Sequence, residues 1–304
     1  MTEVVLNEGL SQISLLSIYV AMALYSAAFL LYTSSLAKLV SANDKSAAEK
    51  PSKLEKAALV ITILAALVHG VAVVLRGIAA ARVPWANMYE FTITGTFFAT
   101  VIFLIAMSIR EVRFIATFIT GFVLLTLGIA TSVFYVEVKS LMPALQSYWI
   151  VIHVLVAVLA TAFFTIASAL STTYLFQTAG WVQTTQTKGA IAFRKLLAAF
   201  PKPERLDRLA YRFNIVGFIL WTFTLIAGAI WAERAWHRYW GWDTKEVWTF
   251  IIWTIYAGYL HANATRGWTG KRSAWLSLIG FAAVIFNFTI VNLFFKGLHV
   301  YSGL

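Results

Sequence analysis

The sequence has 304 residues, of which 60% are hydrophobic and 12% charged, with a mean hydropathy of +0.77. A soluble domain carries roughly a quarter charged residues and under half apolar ones, so the chain falls outside that class and reads as an all-α integral membrane protein. The net charge of +11 fits basic loops facing the cytoplasm and not a nucleic-acid surface, and with no cysteine the chain cannot do thiol chemistry, hold an iron–sulfur cluster or form a disulfide.

In chain order, the apolar runs 13–40, 57–80, 91–109, 114–136, 148–177, 213–233, 245–262 and 275–296 each come near the roughly 20 residues that a membrane-crossing helix needs. They predict a bundle of about eight transmembrane helices in a single polytopic domain over 1–304. The first run is too long for a signal peptide and lacks a basic lead. Short polar segments join the runs, except for 178–212, which reads as a cytoplasmic linker of two amphipathic pieces separated by Pro201 and Pro203. Most Lys and Arg fall in alternate connections: Lys38 to Lys56, Arg110 and Arg113, Lys188 to Arg212, and Arg266 to Arg272. Excess basic residues mark the cytoplasmic side. Both termini then lie outside, with the 81–90 loop, the 137–147 loop and the segment 231–246.

That segment, WAERAWHRYWGWDTKE, carries Trp231, Trp236, Trp240 and Trp242. Tryptophan collects at membrane–water boundaries because its ring is part apolar and part polar, which accounts for Trp85, Trp149, Trp181 and Trp275. It accounts less well for a cluster in one external segment, with Trp248 and Trp253 just behind it. Large flat rings beside charge suit a large, flat, amphipathic ligand. Trp236 and Trp240, four apart, share a face if that piece is helical. Gly241 allows a turn or a close backbone approach. Asp243 and Glu246, in Asp-x-x-Glu ahead of an apolar run, read as a capping box for the seventh helix.

Histidine in or beside a membrane is rare and usually functional, and neutral imidazole ligates haem iron. His153, near the start of its helix, and His299, past the last one, fall on the outer face with the tryptophans. Two histidines flanking an aromatic platform are what a bis-histidine haem site needs; each also fits as a hydrogen-bonded interfacial histidine. His261, about 25 Å along its helix from Thr244, lies toward the cytoplasm, as a second haem ligand or as a cation at a helix C-terminus. His69, in mid-helix, fits packing or hydrogen bonding as well as ligation, and His237 reads as incidental in an exposed loop. Arg234, Arg238 and Lys245 are outer-face cations, there to meet haem propionates or simply solvated.

At these residues the chain resembles the CcsA/ResC family of the two-component Ccs (System II) pathway of cytochrome c maturation, in its compact actinobacterial and plastid form. The run Trp236-His237-Arg238-Tyr239-Trp240-Gly241-Trp242-Asp243-Thr244-Lys245-Glu246 is similar to that family's tryptophan-rich WWD signature. Two residues depart from it: His237 stands where glycine is usual, and Thr244 where proline is usual in the first helical turn. Arg82–Phe91 is similar to the family's outer-loop P-x-x-N-x-Y-E segment, and Leu141–Trp149 with His153 to the approach to its first external histidine. Leu206–Arg212 is similar to the lead into its sixth helix, Tyr259-Leu260-His261 to its transmembrane histidine and Gly297-Leu298-His299 to its second external histidine. The likeness covers about 57–302.

The resemblance implies a place in the bacterial plasma membrane or the plastid thylakoid membrane, with an external WWD segment. It implies haem b as the ligand, with His153 and His299 as external axial ligands around Trp236, Trp240, Trp242 and Asp243. His261 becomes a ligand at an inner site, facing a histidine from a ResB/CcsB-type membrane partner. His69, Arg234, Arg238 and Glu246 remain further candidates. Haem is then moved to the outer face and presented for thioether attachment to an apocytochrome c carrying Cys-x-x-Cys-His. The setting is a holocytochrome c synthase complex served by thiol-reducing maturation proteins. Two other functions stay open: a haem relay delivering to a chaperone, and a non-haem membrane transporter or scaffold whose tryptophans form an interfacial belt.

Overall fold

The computed structural model describes residues 6–42, 51–109, 112–139, 147–198, 200–295 and 297–298, and helix is the only regular structure among them. The elements are α1 (Glu8–Ala42), α2 (Lys53–Ala79), α3 (Met88–Ile109), α4 (Ala116–Ser132, entered through a 3-10 turn at Arg113–Ile115) and α5 (Tyr148–Thr178). Next come the short α6 (Gly180–Thr184) and α7 (Lys188–Ala198), then α8 (Pro203–Trp236), α9 (Thr244–Arg266) and α10 (Lys271–Phe286). The last of these runs through a π turn (Asn287–Val291) into α11 (Asn292–Phe294). Among the described residues seven helices are long and apolar enough to cross a membrane: α1 to α5, α8, and α10 with its extension. Helix α9, the seventh of the eight runs read from the sequence, has 23 residues and so the length. It is not among the seven, because Lys245, Glu246, His261 and Asn263 lower its hydropathy.

The ends of the helices follow from local chemistry. Ser52 caps α2: its hydroxyl accepts the Glu55 N–H (3.1 Å) while the Glu55 carboxylate accepts the Ser52 N–H (2.8 Å). This box adds the charged first turn Lys53–Lys56 to the expected apolar run. The linker departs most from expectation. Pro203 does not close an amphipathic piece but opens α8, at a position where its missing N–H is no loss. Helix α8 then continues unbroken for 34 residues. At about 1.5 Å per residue it is longer than the roughly 30 Å hydrocarbon core of a bilayer. It also continues through Trp236 and stops only where His237 turns left-handed, at φ +56°.

Helices pack as two long pairs, α1 against α2 and α5 against α8, with α3 and α10 laid along α5. The α5–α8 contact rests on small residues, which let backbones approach in a bundle where water does not drive association. Ala157, Ala160 and Ala167 are buried on α5, and a Cβ at Gly217 on α8 would lie only 2.6 Å from the Phe164 ring. Phe164 stacks on Tyr256 of α9 (centroids 3.8 Å apart, planes at 5°) and packs against Trp221 of α8.

Alternation of the helices brings the starts of α3, α5 and α9 and the ends of α8 and α10 to one end of the bundle. The 81–87 loop, residues 134–139, the tryptophan segment and residues 297–298 share that end. The opposite end carries Lys53, Lys56, Arg113, Arg266, Lys271 and Arg272 at helix termini, with the basic α7 nearby. Gln177 at the end of α5 donates to the carbonyls of Leu197 (2.7 Å) and Pro201 (3.1 Å), which pins α7 there.

Candidate functional site

A cavity of about 250 Å³ opens where those five helix ends meet, lined from Trp85 and Asn87 through His153, Trp231 and Trp240 to Lys245, Glu246 and Asn287. It follows α5 from Ile150 to Thr165, about 22 Å of helix at 1.5 Å per residue. Its walls are mostly apolar, and Trp221, which carries the Phe164–Tyr256 stack behind it, forms part of them.

His153 stands on this wall in the second turn of α5, a helix capped by Ser147, whose hydroxyl accepts the Trp149 N–H. Its Nδ1 donates to the Thr224 carbonyl of α8 at 2.9 Å. A carbonyl only accepts, so Nδ1 carries the proton, and in the neutral ring the lone pair is then on Nε2. Metal-ligating histidines are held in this way, with the second ring nitrogen donating to a carbonyl or carboxylate. The ring also lies nearly parallel to Trp231, at 6.0 Å between centroids and 17° between planes. It can lie so close to α8 because residue 228 is glycine: a Cβ there would be 2.8 Å from His153 Cε1 and 2.9 Å from Nδ1.

The tryptophan segment divides. Trp231 is 1% exposed and lines the cavity, with Trp236 packed edge-on against it at 4.8 Å. Trp240 lines the mouth, and Trp242, 79% exposed, packs edge-on against Trp240 at 5.9 Å without lining the cavity. The helix ends at Trp236, so Trp236 and Trp240 do not share a helical face. Both departures from the WWD pattern acquire a physical sense. His237 occupies the left-handed position that favours glycine, and Thr244 is the first helical residue of α9, where proline is at home.

Asp243 and Glu246 form the expected capping box on α9. The Glu246 carboxylate accepts the backbone N–H groups of Gly241 (2.7 Å) and Asp243 (3.1 Å) through Oε2, while Oε1 has no hydrogen-bond partner among the described residues. Asp243 accepts the Lys245 N–H and, through Oδ1, the N–H of Leu298 at 3.0 Å. It thereby ties the chain one residue before His299, which itself lies outside the described residues.

The other candidates are elsewhere. His261 is exposed toward the far end of α9. His69 is fully buried between α1, α2 and α3, with Nδ1 3.4 Å from the Tyr25 hydroxyl and its ring edge-on to Phe97, and it does not line the cavity. Arg234 pairs with Glu233 at 3.6 Å, and the Arg238 guanidinium lies against Gly241; neither lines the cavity.

Trp221, Thr224 and Gly228 escaped the sequence reading, and Trp231, named there within the tryptophan segment, was left out of the binding surface. Trp221, Thr224, Gly228 and Trp231 recur at intervals of three, four and three residues, which puts them on one face of α8. That spacing was the available signal. Beneath the 81–87 loop lies a buried charge network. Glu90, 0% exposed, accepts from Arg76 (3.1 Å) and from both Arg82 amino groups (2.6 and 3.1 Å). Arg76 also reaches Ser11 and the Val136 carbonyl. Glu90 further accepts the Ala86 N–H at 2.9 Å, while Asn87 caps α3 by accepting the Glu90 N–H. The loop that presents Trp85 and Asn87 to the cavity is therefore held rigidly.

Fold and site together define a polytopic helical membrane protein with an aromatic, histidine-bearing cavity at one end of its bundle. Residues 85–299 match the family described as cytochrome C assembly protein. The chain is 36% identical over 250 residues to the cytochrome c biogenesis protein CcsA of Prochlorococcus marinus, covering 75% of this chain and 78% of that protein. It is 34% identical over 258 residues to the CcsA of Guillardia theta, covering 80% and 84%. The chain thus belongs to the cytochrome c assembly family, as a CcsA-type integral membrane protein acting in cytochrome c maturation. In fold it is similar to a solved structure of the cytochrome c heme lyase CcmF, with a TM-score of 0.64 at 14% identity; the match covers 95% of this chain and 48% of that one. It spans about half the length of that protein.

Proposed function

We propose that the chain takes haem b as its substrate and holds it at the cavity for covalent attachment to apocytochrome c. The observation that carries this is His153, whose Nδ1–H is fixed on the Thr224 carbonyl and whose ring is stacked on Trp231 in the wall of a tryptophan-lined cavity. His153 is one axial ligand and His299 the other. Asp243 supports that pairing from beneath, because it fixes residue 298 beside the tryptophan segment. A cavity of about 250 Å³ is smaller than the ~300–1,000 Å³ of sites that enclose their ligand. An edge of the macrocycle therefore stays outside, beside Trp240 and Trp242, where a second protein reaches it. The Cys-x-x-Cys-His of the acceptor supplies both sulfurs, which add to the haem vinyl groups, in keeping with a chain that has no cysteine of its own. This chain's part is ligation, orientation and exclusion of water.

The cavity end faces outward across the membrane, since the basic residues gather at the other end. His261, exposed on α9, contributes to an inner haem site completed by a histidine of a ResB/CcsB-type partner. To test the reading, the chain is purified with that partner and its absorption spectrum recorded beside that of His153→Ala. Wild type shows a bis-histidine haem spectrum, and the variant loses it together with cytochrome c yield. Haem content and yield that are both unchanged in the variant refute the assignment.

A further inference from the structure

We propose that Lys245 is the carboxylate anchor of the cavity and takes one propionate of the bound porphyrin, an inference that rests on the haem reading above. Lys245 is the second residue of α9, yet its side chain does not leave toward solvent. Its Nζ donates to the Asn287 carbonyl at 3.0 Å and to Asn292 Oδ1 at 2.7 Å, and the residue lines the cavity. Asn287 opens the π turn and Asn292 is the first residue after it. In a regular α-helix residues five apart point about 140° away from each other; the wider π turn brings 287 and 292 closer to one side, and π turns of this kind collect at functional sites.

An ammonium group has three donors, and these two contacts use two. Lys245 makes no ion pair with a described carboxylate: the described pairs are Arg76–Glu90, Arg82–Glu90 and Arg234–Glu233. Asp243, two residues earlier, directs its carboxylate to the backbone N–H groups of Lys245 and Leu298. Nζ of Lys245 thus faces the cavity hydrogen-bonded to two neutral oxygens, with one donor left for a ligand.

The same wall holds polar atoms without hydrogen-bond partners among the described residues: Trp85 Nε1, Asn287 Oδ1 and Glu246 Oε1. Asn287 is 4% and Glu246 9% exposed, so these atoms are costly to leave unmatched; Trp85 Nε1 can donate to a carboxylate, whereas the two oxygens are acceptors and need a donor such as water. Glu246 also fixes where an anion goes. Consecutive residues leave a helix about 100° apart, so a carboxylate sits on the Lys245 side, away from Glu246 and toward Asn292. Arg234 and Arg238, the other cations of the segment, do not line the cavity.

The test separates this from the haem reading. The purified full chain is titrated with metal-free protoporphyrin IX and with its dimethyl ester, which lacks the propionate charge, and separately with haem. Wild type is expected to bind the free acid roughly tenfold or more tighter than the ester, the scale of a charge-assisted hydrogen bond. Lys245→Met should bind the two alike and Lys245→Arg should keep the preference; no iron is involved, so haem ligation enters neither result. Equal binding of acid and ester by wild type overturns the proposal, as does a preference that survives in Lys245→Met. The wild-type comparison needs no variant, so it stands even if Lys245→Met does not fold. Failure to bind haem overturns the reading on which the proposal rests, whereas equal affinity for acid and ester leaves that reading in place.

Discussion

Gly228→Ala places a methyl group against the His153 ring. The new Cβ would lie 2.8 Å from Cε1 and 2.9 Å from Nδ1, where an ordinary carbon contact is about 3.5–4.0 Å. The ring must retreat from α8 by roughly 0.6–1 Å, which stretches the 2.9 Å bond to the Thr224 carbonyl to or beyond the limit of a hydrogen bond. The stack on Trp231 shifts with it. Stability changes little, because two effects oppose each other. Alanine in place of a helical glycine gains about 1 kcal/mol, and overpacking costs about 1–3 kcal/mol. Haem affinity is expected to fall about 10–100-fold, the usual effect of losing the group that orients a metal-ligating histidine. Thermal unfolding in detergent and haem titration by Soret absorbance read the two quantities separately. A variant that binds haem with wild-type affinity and an unchanged spectrum refutes the claim that the Thr224 carbonyl and the missing Cβ position His153. Gly217→Ala is the matching control. Its Cβ meets the Phe164 ring at 2.6 Å, remote from His153, so it should lower the melting temperature and leave the haem spectrum alone.

Glu90→Gln removes the only carboxylate facing Arg76 and Arg82 among the described ion pairs; leaving buried cations unmatched costs about 3–5 kcal/mol, to be seen as a large drop in melting temperature and in cytochrome c yield. His237→Gly relieves a left-handed residue at φ +56° and should stabilise by about 1 kcal/mol, raising the melting temperature with haem content unchanged; a lower melting temperature would show that the His237 side chain contributes more than the strain costs. Trp242→Ala exchanges an exposed ring on a backbone with φ +61°, so stability should hold while attachment to apocytochrome c falls, measured as covalent haem on the acceptor. His261→Ala, at an exposed position, should shift stability by less than about 0.5 kcal/mol and lower haem content only when the partner is coexpressed.

What the sequence made legible, and what it hid, divides by the range of the interaction. Hydropathy located the helices, because every backbone polar group in a bilayer must be satisfied within its own segment. The Asp243–Glu246 box was legible because its partners are three residues apart. Helix ends were less so. Hydropathy stops at the polar Leu206–Arg212 run, yet α8 reaches back to Pro203, since the basic residues there remain good helix formers and Pro203 suits a first turn. The largest omissions were contacts between distant segments. Arg76 has no acidic residue within a helical turn of it in sequence, and its counter-charge, Glu90, sits across a turn on α3.

The tryptophans of the linear cluster also divide by whether they line the cavity wall. The number of rings between 231 and 242 drew attention to Trp236, Trp240 and Trp242, but the left-handed turn at His237 sends the chain away from α8. Of the three only Trp240 lines the cavity; Trp231 and Trp221, deeper in α8, line it too. The surface that meets His153 is a face of one helix, Trp221-Thr224-Gly228-Trp231, in which the carbonyl of one residue and the missing side chain of another matter as much as the rings. A motif ranks residues by side chain and so passes over both. The WWD segment then acts mainly as a brace: its Asp243 and Glu246 set the start of α9, the start of α9 directs Lys245 to the π turn of α10, and Asp243 holds the chain at 298. In this arrangement aromatic count matters less than the angles at which five helix ends meet. A substitution that loosens the brace without touching a ring, such as Asp243→Ala, should therefore cost as much haem binding as loss of Trp240.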